Sequence, residues 1–89
     1  MKKLIVANWK SNPQTFSEAL KLAKASDFKD VVVAPPYVYL QTLSWTLKKA
    51  AVCAQDTFWE TSGPYTGEIT PSQLKNLKVK YVIVGHSER

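Results

Sequence analysis

The chain has 89 residues, of which 45% are hydrophobic and 21% charged, a composition typical of one small globular domain and not of a disordered or fibrous protein. Twelve lysines and arginines against seven acidic residues give a net charge of +5, which permits anion or nucleic-acid binding without locating a binding face. A single cysteine and a single histidine exclude an intrachain disulfide and an ordinary four-ligand zinc site, two common reinforcements of a small core.

The amino-terminal segment does not predict secretion or membrane insertion. Met1, Lys2 and Lys3 precede only a short apolar run, residues 4–7, which is too short for the hydrophobic part of a signal peptide. No segment approaches the roughly 18 apolar residues of a membrane-spanning helix. We therefore expect a cytoplasmic protein.

Short apolar runs alternate with helical patterns along the chain. The predicted elements are a strand at 4–8, a helix at 16–26, a strand at 31–34, a helix at 37–47, a strand at 51–55, a helix at 71–77 and a strand at 81–84. Thr70 is the expected N-cap of the third helix, because Pro71 suits the first helical position. Continuous apolar runs such as the first two favour strands that are buried on both faces.

This βαβαβαβ series predicts a parallel sheet, which both the doubly wound open sheet and the (β/α)8 barrel contain. No G-x-G-x-x-G fingerprint follows the first strand, so a dinucleotide-binding unit is not expected. A barrel of about 250 residues has roughly 31 residues in each βα unit. The chain thus corresponds to the first four strands of a barrel, and we expect residues 1–89 to be the amino-terminal half of a single, incomplete barrel domain.

Polar residues at the ends of the first and fourth strands are the candidates for chemistry. Asn8 and Lys10 are expected to share a face of the strand, where the lysine offers a charge to an anionic substrate and the asparagine holds the lysine; a surface lysine beside a turn asparagine is the alternative. His86 follows Gly85, and Glu88 suits the first turn of a following helix, whose positive end would keep the imidazole neutral. A lone surface histidine is the alternative there.

Other conspicuous residues have simpler interpretations. Cys53 lies among apolar neighbours and is expected to be a buried structural thiol. Trp9, Trp45 and Trp59 are too far apart for a stacking platform, so we interpret them as helix–strand packing or interface anchors. The connection 56–70 is long for a βα loop, and such loops are generally functional or bound to a partner.

Four stretches, in the expected order, resemble segments of the triosephosphate isomerases. These stretches are Asn8-Trp9-Lys10, Ala54-Gln55-Asp56, the loop segment 63–69 and the histidine segment 84–89. The resemblance spans essentially this whole chain and about the first third of a family member. It implies a (β/α)8 TIM barrel and an isomerase that interconverts dihydroxyacetone phosphate and D-glyceraldehyde 3-phosphate without a cofactor or metal ion, in glycolysis and gluconeogenesis.

The resemblance also implies roles for individual residues. Lys10 would bind the anionic substrate and stabilise developing negative charge, and Asn8 would help to bind and position it. His86 would be the neutral electrophile that polarises the carbonyl, and Glu88 would be an acid that hydrogen-bonds near the lysine. The family's general base, a glutamate after the sixth strand, has no counterpart here, so we expect the 89-residue chain alone to be inactive.

The resemblance further implies a homodimer, with part of the dimer interface in the long loop 56–70. Thr66 at the loop tip would reach into the partner subunit and brace Asn8 there, with Tyr65 and Gly67 beside it.

Three hypotheses remain open from the sequence. The first is the amino-terminal part of an active isomerase, truncated by an incomplete gene. The second is an inactive half-barrel that acts as an interaction or assembly module. The third, a small nucleic-acid binder, depends only on the +5 charge; the lysines are scattered, so we expect neither nucleic acid nor membrane as a partner.

Overall fold

The computed structural model describes residues 3–57, 59–60 and 63–84. In chain order its elements are β1 (Ile5–Asn8), α1 (Phe16–Ala25), β2 (Val31–Ala34), α2 (Tyr37–Thr46), β3 (Ala51–Ala54), α3 (Pro71–Asn76) and β4 (Tyr81–Val82). The strands form one sheet in the order β1-β2-β3-β4, and every neighbouring pair is parallel. The predicted alternating, parallel α/β series is therefore confirmed.

The fourth strand is shorter than the predicted span 81–84. It ends at Val82, although the Ile83 N–H still donates to the Ala54 carbonyl at 2.9 Å. The reason is its partner strand, which ends at Ala54 and so offers no further ladder positions. The other strands and helices begin and end within two residues of their predicted limits.

Side-chain caps explain where two of the helices begin. Thr15 caps α1: its Oγ1 accepts from the Glu18 N–H at 3.2 Å. Thr70 and Gln73 form a reciprocal capping box on α3, with Pro71 at the first helical position, as predicted. None of the helices in the described part of the chain is long and apolar enough to span a membrane.

The helices cover one face of the sheet. Next to β2, Val33 packs with Ala19 and Ala23 of α1 and with Leu43 of α2, and all four are fully buried. A second group lies next to β3 and consists of Leu40, Val52, Ala54 and Leu74. Small alanines on α1 allow this helix to approach the strands closely, and the leucines of α2 and α3 fill the remaining space.

The opposite face contains a third buried group, made of strand residues alone. Val32, Ala34 and Cys53 are its buried members. Val6 lies on the same face, since it pairs in register with Val32, yet 55% of its surface is exposed. The prediction that the first strand is buried on both faces is thus wrong in the described structure, whereas it holds for most of β2 and β3. The physical reason is that β1 lies at the edge of the sheet and pairs with β2 alone among the described strands.

One carboxylate ties two connections together at the amino end of the sheet. Asp27, after α1, accepts hydrogen bonds from the backbone N–H groups of Lys48, Lys49 and Ala50 at 2.8–2.9 Å. We call this arrangement the Asp27 clamp. The hydrogen bond from Ala50, followed by those from Lys48 and Lys49, holds the pKa of the Asp27 carboxyl below its usual value.

Candidate functional site

The carboxyl ends of β1, β2 and β3 meet at one edge of the sheet. Asn8 pairs in register with Ala34, and the Trp9 N–H extends the ladder by donating to the Ala34 carbonyl at 3.0 Å. Gln55 follows the last residue of β3 at the same edge. In parallel α/β proteins this is the edge at which ligands bind, because the βα loops gather there.

Lys10 lies in a tight turn that begins where β1 ends. The Asn12 N–H donates to the Trp9 carbonyl at 3.1 Å, so that residues 9–12 form a β-turn with Lys10 at its second position. The φ angle of Lys10 is +57°, in the left-handed region. The strand ends at Asn8, so the alternation of side chains along a strand does not apply to Lys10. The prediction that Asn8 and Lys10 share a face of the strand is therefore wrong.

A hydrogen bond takes the place of that alternation. The side-chain Oδ1 of Asn8 accepts from the backbone N–H of Lys10 at 2.9 Å. This local side-chain-to-backbone contact is the kind that asparagine forms in turns. Asn8 is half-buried and Lys10 is exposed, so the asparagine acts as the fixed support and the lysine as the group presented at the edge.

Gln55 contributes a contact that the sequence reasoning missed. Its Nε2 donates to the Lys10 carbonyl at 2.6 Å and to the Ala34 carbonyl at 2.8 Å. The signal available in the sequence was a glutamine directly after a buried strand, at the edge where Lys10 was already expected.

His86 and Glu88, the other candidate catalytic residues, lie outside the described residues, as does Gly85. What the structure does give is the strand that leads to them. Because β4 is parallel to β3, its carboxyl end lies at the same edge as Gln55.

The long loop is described in residues 56–57, 59–60 and 63–70. Its base is closed by Thr57, whose Oγ1 donates to the Ile69 carbonyl at 3.1 Å. At its tip the Glu68 N–H donates to the Tyr65 carbonyl at 3.0 Å, which places Thr66 and Gly67 in an exposed turn next to a half-buried Tyr65. Thr66 is exposed at the tip of the loop, and its place at a subunit interface stays a prediction.

The remaining candidates divide as follows. Cys53 is buried as predicted, and this burial raises the pKa of its thiol, which disfavours the reactive thiolate. Trp9 packs in the core, in agreement with the packing interpretation. Trp45 and Trp59 are 71% and 79% exposed, so helix–strand packing is wrong for both and the interface interpretation remains.

Alternating parallel strands and helices, with polar residues gathered at the carboxyl ends of the strands, are the arrangement found in (β/α)8-barrel proteins. The family model for triosephosphate isomerase matches residues 3–89. The chain belongs to the triosephosphate isomerase family, and its fold is the amino-terminal β/α part of a TIM barrel.

Individual relatives agree with this assignment. A triosephosphate isomerase of Dictyoglomus thermophilum is 44% identical over 96 aligned positions, which cover 99% of this chain and 39% of the relative. Those of Thermoanaerobacter sp. (strain X514) and Clostridium botulinum are 46% and 47% identical over 94 positions, covering 97% of this chain and 38% of each relative. The chain thus spans less than half of the length of the curated relatives it matches.

Proposed function

We propose that this chain supplies the amino-terminal part of an isomerase that interconverts dihydroxyacetone phosphate and D-glyceraldehyde 3-phosphate through an enediolate. The observation that supports this function is the presentation of Lys10. It is an exposed cation at the carboxyl edge of the sheet, tied through its backbone to Asn8 and Gln55. Membership of the triosephosphate isomerase family supplies the substrate class.

The proposed reaction needs a base, an electrophile and a counter-charge. The base removes a proton from the hydroxyl-bearing carbon next to the carbonyl, and the carbonyl oxygen takes up the negative charge. The hydroxyl proton then moves to that oxygen, and the proton held by the base returns to the former carbonyl carbon. Lys10 attracts the phosphorylated substrate and stabilises the negative charge, and Asn8 positions the lysine and the substrate. A neutral His86 donates a hydrogen bond to the carbonyl oxygen, and Glu88 hydrogen-bonds near the lysine.

The base is not among the groups that we propose for this chain. Glu88 is only two residues from His86 in the sequence, so we do not propose it as a base on the other side of the substrate. We therefore propose that the 89 residues are inactive alone. We further propose that the whole protein is a cytoplasmic homodimer, with Thr66, Tyr65 and Gly67 of the 56–70 loop at the subunit interface.

The experiment compares two proteins. One is the 89-residue chain, and the other, the extended protein, is this chain followed by the portion of the Dictyoglomus thermophilum relative that lies beyond the aligned region. We expect isomerase activity in the extended protein alone. An inactive extended protein that is nevertheless folded would remove the proposal, and activity in the 89-residue chain would overturn the need for a base outside it.

Within the extended protein, Lys10→Ala tests the lysine itself. A unit charge about 4 Å from an anion contributes about 4 kcal/mol at an effective dielectric constant of about 20, which corresponds to roughly a thousandfold in kcat/KM. Lys21→Ala is the matched control, because it removes the same charge from an exposed position of α1. Equal kcat/KM values in the two variants would exclude Lys10 from the reaction.

A second candidate function is an inactive assembly module. The face of the sheet opposite the helices supports it, because Val6 and Leu4 are 55% and 45% exposed there. This hypothesis predicts that the 89-residue chain folds and self-associates. Sedimentation of the purified chain measures its size, and a monomer at all concentrations contradicts the hypothesis.

A further inference from the structure

The two edges of the sheet carry charge of opposite sign. Four segments lead into the strands at the amino edge: residues 3–4, 26–30, 47–50 and 77–80. Together they contain six lysines and two aspartates, a net charge of +4. The connections that follow β1, β2 and β3, at the carboxyl edge, contain one lysine and three acidic residues, a net charge of −2. The excess of positive charge in this chain therefore lies at the amino edge.

Three of these lysines line one cleft at the amino edge. Lys29, Lys49 and Lys80 come from three successive connections between a helix and a strand, and the cleft that they line has a volume of about 350 Å³. The apolar part of its wall includes Leu4, Val32, Ala51 and Tyr81. Because an apolar wall has a low dielectric constant, it focuses the field of the lysines into the cleft and strengthens their attraction for an anion.

Backbone hydrogen bonds fix the point from which each of the three lysine side chains extends. The Lys49 N–H donates to Asp27 at 2.8 Å in the Asp27 clamp, and the Lys80 N–H donates to a carbonyl of β3 at 3.2 Å. Lys29 lies in the turn 28–31, which is closed by a hydrogen bond of 3.2 Å from the last N–H to the first carbonyl. The exposed lysines thus start from fixed positions around one cleft.

Two carboxylates at this edge offset the positive charge only in part. Asp30 lines the cleft, and both oxygens of Asp27 accept backbone N–H groups in the clamp. Together with the three lysines of the cleft they leave a net charge of +1. The remaining lysines of the edge raise this value to +4; they are Lys3, Lys48 and Lys78. Since like charges that are close together repel one another, an anion with several negative charges relieves this repulsion better than a monovalent one.

From this arrangement we propose that the cleft at the amino edge binds a small multivalent phosphate anion, with Lys29, Lys49 and Lys80 as its charge partners. Ammonium groups donate charge-assisted hydrogen bonds to phosphate oxygens, and the hydroxyl of Tyr81 is a further donor in the cleft wall. A compact cleft suits a compact anion, whereas a nucleic-acid strand needs a basic groove that follows its backbone. The site is at the opposite edge from Lys10 and does not depend on the proposed isomerase function.

The first experiment locates the binding site by NMR. Pyrophosphate is titrated into the extended protein carrying Lys10→Ala, which removes the lysine that we propose for the triose substrate. We expect the backbone amides of Lys29, Lys49 and Lys80 to shift with one common dissociation constant, and the amide of Trp9 at the carboxyl edge to stay in place. Shifts that do not saturate, or that saturate at Trp9 alone, overturn the proposal.

Three substitutions then test the charge partners in the same protein. Lys49→Gln removes one charge from the cleft, Lys49→Arg keeps it, and Lys21→Gln removes the same charge from an exposed position of α1. A unit charge about 4 Å from an exposed anion contributes about fivefold to the dissociation constant for each negative charge of that anion. We therefore expect Lys49→Gln to raise the dissociation constant of pyrophosphate by about 5- to 30-fold. The other two variants should stay within about twofold of the parent, and equal increases in Lys49→Gln and Lys21→Gln would overturn the proposal because they would reflect net charge alone.

A competing ligand distinguishes a phosphate site from a nucleic-acid surface. A DNA duplex of random sequence is titrated under the same conditions as pyrophosphate, at low ionic strength. We expect pyrophosphate to shift the amides of the cleft at lower concentrations of ligand phosphate groups than the duplex does. The reverse order would assign this edge to nucleic acid and remove the proposal. Neither titration requires isomerase activity, so a failure of the proposed function leaves this result unaffected.

Discussion

The Asp27 clamp predicts a local stability that depends on pH. Three backbone N–H groups donate to one carboxylate, two of them at exposed sites and the third, from Ala50, in a half-buried one. Water replaces the carboxylate readily at the exposed amides of Lys48 and Lys49. We therefore expect Asp27→Asn to lower the free energy of local opening at Ala50 by about 1.5–3 kcal/mol, the contribution of a single hydrogen bond to a charged group.

The sign of the pH dependence follows from the lowered pKa of Asp27. A carboxylate whose pKa is lower in the folded state binds protons more readily in the unfolded state. Its contribution to stability is complete above the pKa of the unfolded state, about 3.9. This contribution is lost as the pH falls through the lower pKa of the folded state. The difference in local stability between the parent and Asp27→Asn is consequently constant near neutral pH and becomes smaller below about pH 4.

Hydrogen exchange of the Ala50 amide in the extended protein measures this contribution directly. At pH 6–7 we expect exchange to be about 10- to 150-fold faster in Asp27→Asn than in the parent, because about 1.4 kcal/mol of opening free energy changes the rate tenfold. Asp30→Asn is the control, since it removes a carboxylate from the same connection and leaves the three clamp hydrogen bonds in place. Equal exchange in the parent and in Asp27→Asn, or a ratio that does not fall at acid pH, would refute the reasoning.

Three further predictions concern the core, a cap and the long loop of the extended protein. Leu43 is fully buried, so Leu43→Ala should lower the free energy of unfolding by about 2–5 kcal/mol in urea titrations, whereas Leu22→Ala at an exposed site should cost far less. Thr70→Ala removes the α3 cap and should cost about 1 kcal/mol in the same titration, against little change for the exposed Ser72→Ala. Gly63→Ala should increase proteolysis of the loop more than Gly67→Ala does. Both glycines have a positive φ, but an added Cβ would lie 2.5 Å from the Tyr65 ring at Gly63, whereas no atom lies within 4 Å of an added Cβ at Gly67.

The order of strands and helices was predictable because each signal is local. A run of three valines marks β2, a short apolar run marks β3, and the Thr70-Pro71 pair marks the start of α3. The end of β4 was not predictable from its own residues, since the apolar run continues to Val84 while the partner strand stops at Ala54. A strand extends only as far as its partner offers hydrogen-bonding groups, and the partner of β4 lies about 30 residues earlier in the chain.

The candidate site likewise contains residues that were recognisable from the sequence and one that was not. Asn8 and Lys10 were recognisable because they follow a strand directly and lie two residues apart. Gln55 was not, because its significance comes from a hydrogen bond across 45 residues to a carbonyl group. Side-chain alternation also failed at Lys10, since no periodicity in the sequence reveals that a lysine adopts a positive φ.

The positive charge of the chain is distributed unevenly between the two edges of the sheet. Lysines that are scattered in the sequence precede all four strands, so in a parallel sheet they gather at its amino edge; Lys29, Lys49 and Lys80 line one cleft there. Lys10 lies at the opposite edge, and a four-residue strand separates the two edges by about 13 Å. This separation exceeds the screening length of about 8 Å at physiological ionic strength. The lysines of the amino edge therefore contribute little to anion binding at the carboxyl edge, where the attraction depends on Lys10 and on the residues that hold it in place.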